Sequence, residues 1–462
     1  MIVLINLIFF FTLALVGSYT MLSIFSTIAL NRYSRKNSYV NYNNIAISTL
    51  APSISIICPS YNEEKNIISN VKALLGLYYR NFEIIIVNDG STDKTFELLK
   101  TEFKLEKTNF FFDYKIPCEK INGIWKSIDP QYKKLVVIDK NNGGCKADAS
   151  NAGLNICRYD YVLNMDADGI IEKDSLCKLI KPFLEEKKHK VIGVGGVIRV
   201  ANSCEIENGK IKTINLPKKI LPRLQALEYT RSFLLGRMAW SELDGLLLIS
   251  GAMGMFDRKI MIAAGGYDKT SLGEDMEAVV KMRRYMAEQK KRYVVTYIPD
   301  PLCWTEVPES FKDLKTQRVR WTKGLVDVLK KHNVMFFNPK YRNLGILGYP
   351  FWFIFEWLAP IIAFLGILYT IFLGVTGGIN WKFFAILSAF IYSFSIFIST
   401  WAVLFEELTF HKYRKKWDVM KLLLVSFLEP FFYIFIAWFS VKGNFEYFIL
   451  KRNKWGKIKR NL

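Results

Sequence analysis

The sequence lacks any regular arrangement of cysteines. It has seven, an odd number, and no two of them form a C-x-x-C pair. This excludes a small disulfide scaffold and argues against a zinc site, so we expect reduced thiols. Acidic residues are also few, with 42 Asp and Glu against 63 Lys and Arg and a formal net charge of +21. Such a balance favours anionic partners, whether nucleic acid, lipid headgroups or phosphorylated substrates.

Apolar residues, in contrast, are abundant. They make up 51% of the 462 residues, while 23% of the residues are charged. This composition excludes a disordered chain and a collagen-like fibre. Because the charged fraction is still ordinary, the excess of apolar residues must be concentrated in particular segments. We therefore expect membrane segments joined to a soluble part.

Residues 1–31 are predicted to form a transmembrane helix. No charged side chain occurs from Ile2 to Leu30, a run of 29 residues, and about 20 apolar residues are enough to span a bilayer. A secretory signal peptide would need an early positive charge, which this segment lacks. Three basic residues follow at 32–36, and the positive-inside rule then places this end in the cytoplasm and the N-terminus outside.

Residues 344–405 are predicted to form two further transmembrane helices. Glu356 is the only charge in Leu344–Asn380, and Phe383–Phe405 contains none. The preceding residues 331–343 are expected at the membrane interface. The five basic residues that follow the second helix favour a cytoplasmic loop.

The last apolar segment, residues 419–441, poses a different problem. Glu429 and Pro430 lie at its centre; proline breaks helical hydrogen bonding, and a glutamate inside a membrane is costly. We therefore predict a re-entrant segment, with a fourth transmembrane helix as the alternative. Residues 442–462 are predicted to form a basic cytoplasmic tail that contacts anionic lipid.

Residues 51–330 are predicted to form a cytoplasmic α/β domain. Short, mostly apolar runs alternate there with helical patterns, at residues 53–61, 82–87, 135–138, 161–165 and 191–198. Continuous apolar strands alternating with helices are typical of a mostly parallel sheet that is covered on both faces. Ligands of such sheets bind beyond the carboxyl ends of the strands, so polar residues at those ends are candidate site residues.

Asp166 and Asp168 directly follow the predicted strand 161–165. Two carboxylates at this spacing can share one hard cation, Mg²⁺ or Mn²⁺, through oxygen ligands. Such an ion stabilises the charge that builds on a diphosphate leaving group. The alternative is a pair of loop acids that caps a helix.

Asp89 and Lys146 lie in two other loops. Asp89 belongs to an Asn-Asp-Gly-Ser turn at a predicted strand end, although aspartate also favours turns for local hydrogen bonding alone. Lys146 follows two asparagines and two glycines within six residues. A cation in such a loop can meet a phosphate, but most lysines are solvated surface charges.

Two further motifs combine polar groups at helical spacing. Glu274 and Asp275 precede an amphipathic helix, where the helix dipole stabilises acids and where a carboxylate can also deprotonate a hydroxyl. Gln317, Arg320 and Trp321 share one helix face. That face offers an amide, a guanidinium for phosphate and an indole for a sugar ring, with an interfacial Trp/Arg belt as the alternative.

The order of these motifs resembles that of the family-two glycosyltransferases. The motifs are PSYNEE (59–64), NDGST (88–92), GGCKADASNAG (143–153), DAD (166–168), ISGAMG (249–254), GED (273–275) and QRVRW (317–321). More closely, the chain resembles the membrane-embedded processive β-glycan synthases, which make cellulose, chitin, hyaluronan and poly-N-acetylglucosamine. The resemblance covers about residues 51–330. Many relatives have Thr where this chain has Gly273, so this motif does not identify the sugar.

The resemblance implies a GT-A fold, a UDP-sugar donor and roles for individual residues. The donor would be bound by Tyr61, Glu63, Asp89, Lys146 and Asp166. The metal, Mg²⁺ or Mn²⁺, would be held by Asp168 and Asp166. Acceptor and pyrophosphate contacts would come from Glu274, Gln317, Arg318, Arg320 and Trp321. The general base would be Asp275.

We therefore expect an inverting plasma-membrane enzyme that polymerises a β-linked polysaccharide from UDP-glucose or UDP-N-acetylglucosamine and assists its secretion. The alternative is transfer of one sugar to a lipid-linked acceptor. The tryptophan of the last motif favours polymerisation, whereas three spans favour the alternative because a closed channel needs more helices. A second copy or an accessory subunit would supply them. A nucleic-acid binder fits the charge, but the chain has no helix-turn-helix signal or aromatic-interleaved basic stretch.

Overall fold

The computed structural model describes residues 2–186, 188–413 and 415–451. These residues form two compact units, a sheet unit and a helical unit. The sheet unit comprises the described residues of Tyr33–Thr213 and Leu246–Glu306. The helical unit comprises the described residues of Met1–Arg32, Ile214–Gly245 and Val307–Arg460.

The strands belong to the sheet unit. They are β1 (Ile54–Ser60), β2 (Phe82–Asp89), β3 (Leu105–Thr108), β4 (Ile121–Ser127), β5 (Leu135–Lys140), β6 (Tyr161–Met165), β7 (Ile170–Ile171), β8 (Lys190–Val200), β9 (Glu205–Glu207), β10 (Lys210–Thr213), β11 (Met253–Asp257) and β12 (Tyr293–Thr305). β9 and β10 pair with each other, and the other strands form one sheet in the order β3-β4-β5-β2-β1-β6-β11-β8-β12-β7.

The centre of the sheet is parallel. β1 runs parallel to β2 and β6, and β2 runs parallel to β5. In this register Ile56 lies opposite both Ile84 and Leu163, and all three side chains are fully buried. The continuous apolar runs predicted as buried strands are thereby confirmed. Because these strands point the same way, the loops after β1, β2 and β6 meet at one edge of the sheet.

The sheet also has a mixed part. β11, which the sequence did not predict, runs antiparallel to both β6 and β8. β11 begins within the ISGAMG segment, whose last two residues, Met253 and Gly254, are the first two residues of the strand. The pairing holds this segment beside the end of β6.

The helices are α1 (Ile2–Asn37), α2 (Tyr42–Ile47), α3 (Ile67–Leu75), α4 (Thr95–Glu102), α5 (Lys146–Ile156), α6 (Ser175–Leu184), α7 (Ile220–Thr230), α8 (Met238–Glu242), α9 (Arg258–Ala263), α10 (Glu274–Glu288), α11 (Phe311–Lys331), α12 (Tyr349–Phe351), α13 (Ala359–Val375), α14 (Trp381–Phe410), α15 (Lys416–Ser426) and α16 (Glu429–Phe448). Wider π-helical turns occur at Arg231–Arg237, Leu344–Gly348 and Trp352–Leu358. Single 3₁₀ turns occur at Pro130–Tyr132, Asn333–Met335 and Pro339–Tyr341.

Among the described residues, three helical segments are long and apolar enough to cross a membrane. They are Asn6–Asn37, Leu344–Val375 and Trp381–Phe410. They correspond to the three predicted spans, and each is longer than the hydrocarbon core requires. The first continues through the basic residues at 32–36, which agrees with a charged end that leaves the membrane.

The segment predicted as re-entrant consists of two helices. α15 and α16 meet at a bend of 59°, which suits either a broken span or a re-entrant loop. The break lies directly before Glu429 and Pro430. The proline is in the first turn of α16, where backbone N–H groups have no partner within the helix, so its lack of an N–H costs no hydrogen bond. Of the predicted tail 442–462, the first residues belong to α16, and residues 452–462 lie outside the described residues.

The predicted domain of residues 51–330 is divided between the two units. Residues 214–245 and those from 307 on pack within the helical unit. Gln225 of α7, for example, is fully buried and donates a hydrogen bond to the Pro308 carbonyl at 2.7 Å. These segments carry α7 and α11, so the QRVRW motif belongs to the helical unit.

Candidate active site

The loop after β1 is tied to the loop after β2. Asn62 accepts a hydrogen bond from the Thr92 N–H at 2.8 Å, and the N–H of Glu63 donates to the Thr95 hydroxyl at 2.8 Å. The polar residues 62–64 predict a helix that begins at Asn62, but Asn62 has a left-handed φ of 57°, which is not helical, and α3 begins only at Ile67. Tyr61 is 37% exposed beside this joint. The tie fixes the backbone of Tyr61 and Glu63, two residues to which the family resemblance assigns the uridine of the donor.

Asp89, at the end of β2, is anchored by a buried lysine. Lys140 at the end of β5 is fully buried, and its ammonium donates to Asp89 and, at 2.7 Å, lies against Asp148. The Gly143 N–H also donates to Asp89 at 3.1 Å. Asp148 is fully buried in the first turn of α5 and pairs on its other side with Lys269 at 3.1 Å. Asp89 is thus the first of four alternating charges, Asp89, Lys140, Asp148 and Lys269, and the other three hold its carboxylate in place.

The neighbouring charges favour the charged forms of both Lys140 and Asp148. Burial alone would lower the pKa of Lys140, but its bonds to Asp148 and Asp89 raise it above the ordinary value. Burial alone would raise the pKa of Asp148, but the bond from Lys140 and the N–H of Glu119 lower it below the ordinary value. Sequence reasoning missed Lys140 and Asp148. The sequence gives little indication of this buried pair, because Lys140 is only a lysine at a strand end and Asp148 only an acid a few residues after two glycines.

Lys146 connects the DAD motif to the predicted base. Its ammonium forms an ion pair with Asp166 and donates to the Gly251 carbonyl at 2.7 Å. The Gly251 N–H in turn donates to Asp275 Oδ2 at 3.0 Å, and Asp275 Oδ1 accepts from the Met276 N–H at 2.8 Å. Residues that are far apart in the sequence therefore converge. The ISGAMG segment is the part of the chain that joins them.

The charges around Lys146 determine its protonation. Burial alone would lower the pKa of Lys146, but the negative charges of Asp166 and Glu274 raise it above the ordinary value. The amphipathic pattern of residues 278–287 predicts a helix that starts after these two acids, but α10 begins at Glu274, so Glu274 and Asp275 lie in its first turn. The helix dipole at this end stabilises both carboxylates.

A pocket of about 260 Å³, open solvent included, lies beside these groups. Its polar lining includes Lys146, Asn164, Gly251, Tyr267, Glu274 and Asp275. Asn164 on β6 and Tyr267 were not predicted from the sequence. An asparagine inside an apolar strand is the one local signal that points to the first of them.

The DAD turn is held from two sides. The Asp166 N–H donates to the Ala252 carbonyl at 3.3 Å, and the Asn70 side chain of α3 donates to the Ala167 carbonyl. Within residues 2–186, 188–413 and 415–451, no three His, Cys, Asp or Glu side chains come together as a metal site. Asp166 and Asp168 therefore offer two carboxylates, which suits Mg²⁺ or Mn²⁺ only when water or substrate phosphate supplies further oxygens.

The QRVRW motif lies on α11 of the helical unit. This helix is continuous, so Gln317, Arg320 and Trp321 share a face as predicted. Gln317 is buried, and within the described part of the chain its Oε1 has no hydrogen-bond partner. Trp321 is 41% exposed. Arg318 is instead buried and pairs with Glu228 of α7 through both terminal nitrogens, at 2.8 and 2.6 Å.

Comparison with known proteins gives matches over most of the chain. Residues 161–405 match the model of glycosyl transferase family group 2, and residues 55–116 match that of glycosyl transferase family 2. The poly-β-1,6-N-acetyl-D-glucosamine synthase of Staphylococcus epidermidis is 28% identical over 389 residues, 83% of this chain and 81% of the relative. The synthase of the same name from Staphylococcus aureus (strain COL) is 29% identical over 315 residues, 68% of this chain and 64% of the relative.

A solved structure resembles the fold. The mannosyltransferase PcManGT from Pyrobaculum calidifontis, in complex with GDP-Man and Mn²⁺, matches with a TM-score of 0.52 and 15% sequence identity. The match covers 95% of this chain and 99% of that chain. At this identity the likeness concerns the fold alone. It confirms the predicted GT-A-like α/β fold.

Proposed function

The chain belongs to glycosyl transferase family group 2, and on this basis we propose that it is an inverting membrane hexosyltransferase that polymerises a β-linked polysaccharide from a UDP-sugar. UDP-N-acetylglucosamine is the preferred donor in this proposal, because the similar staphylococcal proteins are named as poly-β-1,6-N-acetyl-D-glucosamine synthases. One observation carries the proposal. The Lys146 cation and the Asp275 carboxylate are both bonded to Gly251 beside a pocket.

The donor half of the reaction is assigned to the loops at the strand ends. Tyr61, Glu63 and Asp89 bind the uridine, and Asp89 is oriented for this by Lys140. Lys146 has three donor hydrogens and a raised pKa, so it remains charged and binds a donor phosphate. The ion pair between Lys146 and Asp166 must loosen as the diphosphate enters, since the phosphate competes for the same ammonium.

Asp275 is the general base. It accepts the proton of an acceptor hydroxyl, and the hydroxyl oxygen forms its new bond to the anomeric carbon on the face opposite the departing UDP. The bond between that carbon and the diphosphate oxygen breaks, and its electron pair leaves with UDP. The N–H groups of Gly251 and Met276 hold the two oxygens of Asp275, which fixes the direction from which the proton is taken. Glu274 contributes to the acceptor and pyrophosphate contacts.

A divalent cation fits Asp166 and Asp168. Bound there, it supplies positive charge to the diphosphate as negative charge builds on the leaving group. The similar mannosyltransferase was solved with Mn²⁺, and the two hard carboxylates accept Mn²⁺ or Mg²⁺ alike. Asn70 and Ala252 bond to the backbone of this turn, so both carboxylates project from a backbone that is already held.

The acceptor is assigned to α11. Trp321 provides an exposed indole face for a sugar ring, and Gln317 and Arg320 provide an amide and a guanidinium for hydroxyl and phosphate groups. The enzyme is multi-pass in the plasma membrane, with its catalytic part in the cytoplasm, and assists secretion of its product. Membrane lipids, the growing glycan and a second copy or accessory subunit are its proposed partners.

A donor panel tests this proposal. Purified protein in lipid is given UDP-N-acetylglucosamine, UDP-glucose or GDP-mannose, and release of the nucleoside diphosphate is measured. We expect release from UDP-N-acetylglucosamine above the other two donors. Organic extraction of the product separates the alternative, because one sugar on a lipid-linked acceptor enters the organic phase. Release from GDP-mannose alone, or from none of the three, would refute the proposal.

A further inference from the structure

The second residue of the QRVRW motif faces a protein carboxylate. Arg318 donates from Nη1 to Glu228 Oε1 at 2.8 Å and from Nη2 to Glu228 Oε2 at 2.6 Å. The two side chains are only 6% and 15% exposed. This parallel, two-bond geometry is the strongest form of the arginine–carboxylate interaction. The terminal nitrogens of Arg318, which would bind a phosphate, are therefore already hydrogen-bonded to Glu228.

The same guanidinium covers Trp321. Its central carbon lies 4.2 Å from the centre of the indole ring, a distance typical of a cation–π contact. Arg318 and Trp321 are three residues apart on α11, so their side chains are neighbours on the helix surface. One part of the indole is thus packed against a buried cation, while 41% of the residue stays exposed.

We propose that Arg318 and Glu228 act together as positioning residues that hold Trp321 for the acceptor sugar, and that Arg318 contacts neither the acceptor nor the pyrophosphate. The inference rests on the proposed function, in which Trp321 binds the acceptor. Glu228 fixes the plane of the guanidinium, and the guanidinium fixes the plane of the indole. A tryptophan that is held in this way needs less ordering when a sugar ring stacks on it.

The chain contains a matched control pair. Lys323, two residues beyond Trp321 on the same helix, forms an ion pair with Glu446 of α16 at 2.5 Å. The two side chains are 9% and 18% exposed, close to the values of Arg318 and Glu228. Lys323→Gln therefore removes an equally buried charge pair from α11 while leaving the packing on Trp321 in place.

The test separates acceptor affinity from donor affinity. Elongation of a short β-linked N-acetylglucosamine oligosaccharide is measured at varied oligosaccharide and varied UDP-N-acetylglucosamine. We expect Arg318→Gln and Glu228→Gln each to raise the KM for the oligosaccharide by about tenfold, which is about 1.4 kcal/mol, with an unchanged donor KM. The double variant should be no worse than either single variant, because the two residues act as one unit.

Two control variants separate the proposed role from a general loss of charge or of stability. Arg318→Lys keeps the charge but cannot form the two-bond pair, so we expect an intermediate oligosaccharide KM. Lys323→Gln should lower the melting temperature as Arg318→Gln does and leave both KM values unchanged. Three results would each overturn the inference. The first is that Arg318→Gln raises only the donor KM, and the second is that the effects of the two substitutions add up in the double variant. The third is that Lys323→Gln has the same oligosaccharide KM as Arg318→Gln. A wild-type protein that elongates nothing overturns the proposed function as well, whereas an active wild type with unaffected variants overturns this inference alone.

Discussion

Lys146 and Asp275 are hydrogen-bonded to opposite sides of one residue, Gly251. The lysine donates to its carbonyl at 2.7 Å, and its N–H donates to the aspartate at 3.0 Å. A Cβ at position 251 would lie 3.4 Å from both Lys146 Nζ and the Cβ of Asp275. These are ordinary contact distances, so the cation and the carboxylate both lie directly against this peptide. The two charged groups are therefore joined through a single residue of the backbone.

Asp275→Asn should remove turnover and spare donor binding. Asparagine has nearly the same shape but cannot take up the proton, and a positioned base is worth about 10²- to 10⁴-fold in rate. UDP affinity, measured by calorimetry, should stay close to that of the wild type because Asp275 is not assigned to uridine. Glu288→Gln, at the exposed end of the same helix where Glu288 pairs with Arg284 at 2.8 Å, is the control. An active Asp275→Asn enzyme would show that another group is the base.

Lys140→Met should weaken donor binding from a distance. It leaves Asp89 and Asp148 without their shared cation, and breaking a buried ion pair from one side costs about 3–5 kcal/mol. We expect a lower melting temperature and, in the folded protein, a donor KM raised by at least about tenfold with little change in kcat. Lys104→Met, which breaks a more exposed pair with Asp129, is the control. An unchanged donor KM would mean that Lys140 does not orient Asp89.

Asp148 should make the protein sensitive to acid. Its pKa is lowered in the folded state because the bonds from Lys140 and from the Glu119 N–H outweigh the effect of burial. The stabilisation is therefore complete above the unfolded-state pKa of about 3.9 and is lost as the pH falls through the lower folded-state pKa. The melting temperature of the wild type should fall more steeply than that of Asp148→Asn as the pH drops below about 4. Parallel curves would contradict this assignment, and Asp160→Asn, at an exposed pair with Lys259, supplies the baseline.

Chelation should stop the reaction. Asp166 and Asp168 are the proposed carboxylates for a divalent cation, and such a cation stabilises the charge on a diphosphate leaving group. EDTA is expected to abolish turnover, and added Mn²⁺ or Mg²⁺ to restore it, with Asp168→Asn needing more metal for half-maximal rate. Turnover that ignores EDTA would remove the metal from the mechanism.

The strands and the position of the acidic turns were predictable from the sequence. Most residues of β2 and β6 are apolar because both faces of these strands are buried, and this pattern is local. Asp89 ends β2 and Asp166 follows β6, so their position at one edge of the sheet follows from the parallel arrangement alone.

The remaining features depend on contacts between distant residues. Lys140 follows an apolar strand and is expected at the surface by residue type; only the buried Asp148 in the next helix explains its burial. Helix α3 starts late because Asn62 bonds with Thr92, thirty residues away. Arg318 belongs to a motif associated with phosphate, and only its contact with Glu228 on α7 reveals a different environment.

The size of the product tests the central claim most directly. Purified protein in lipid nanodiscs is incubated with radiolabelled UDP-N-acetylglucosamine, and the labelled product is separated by size, beside Asp275→Asn as the inactive reference. The proposed function predicts label in high-molecular-weight material that the Asp275→Asn protein does not make. Label that remains in the nucleotide sugar, or that appears as one sugar on a lipid, would contradict it.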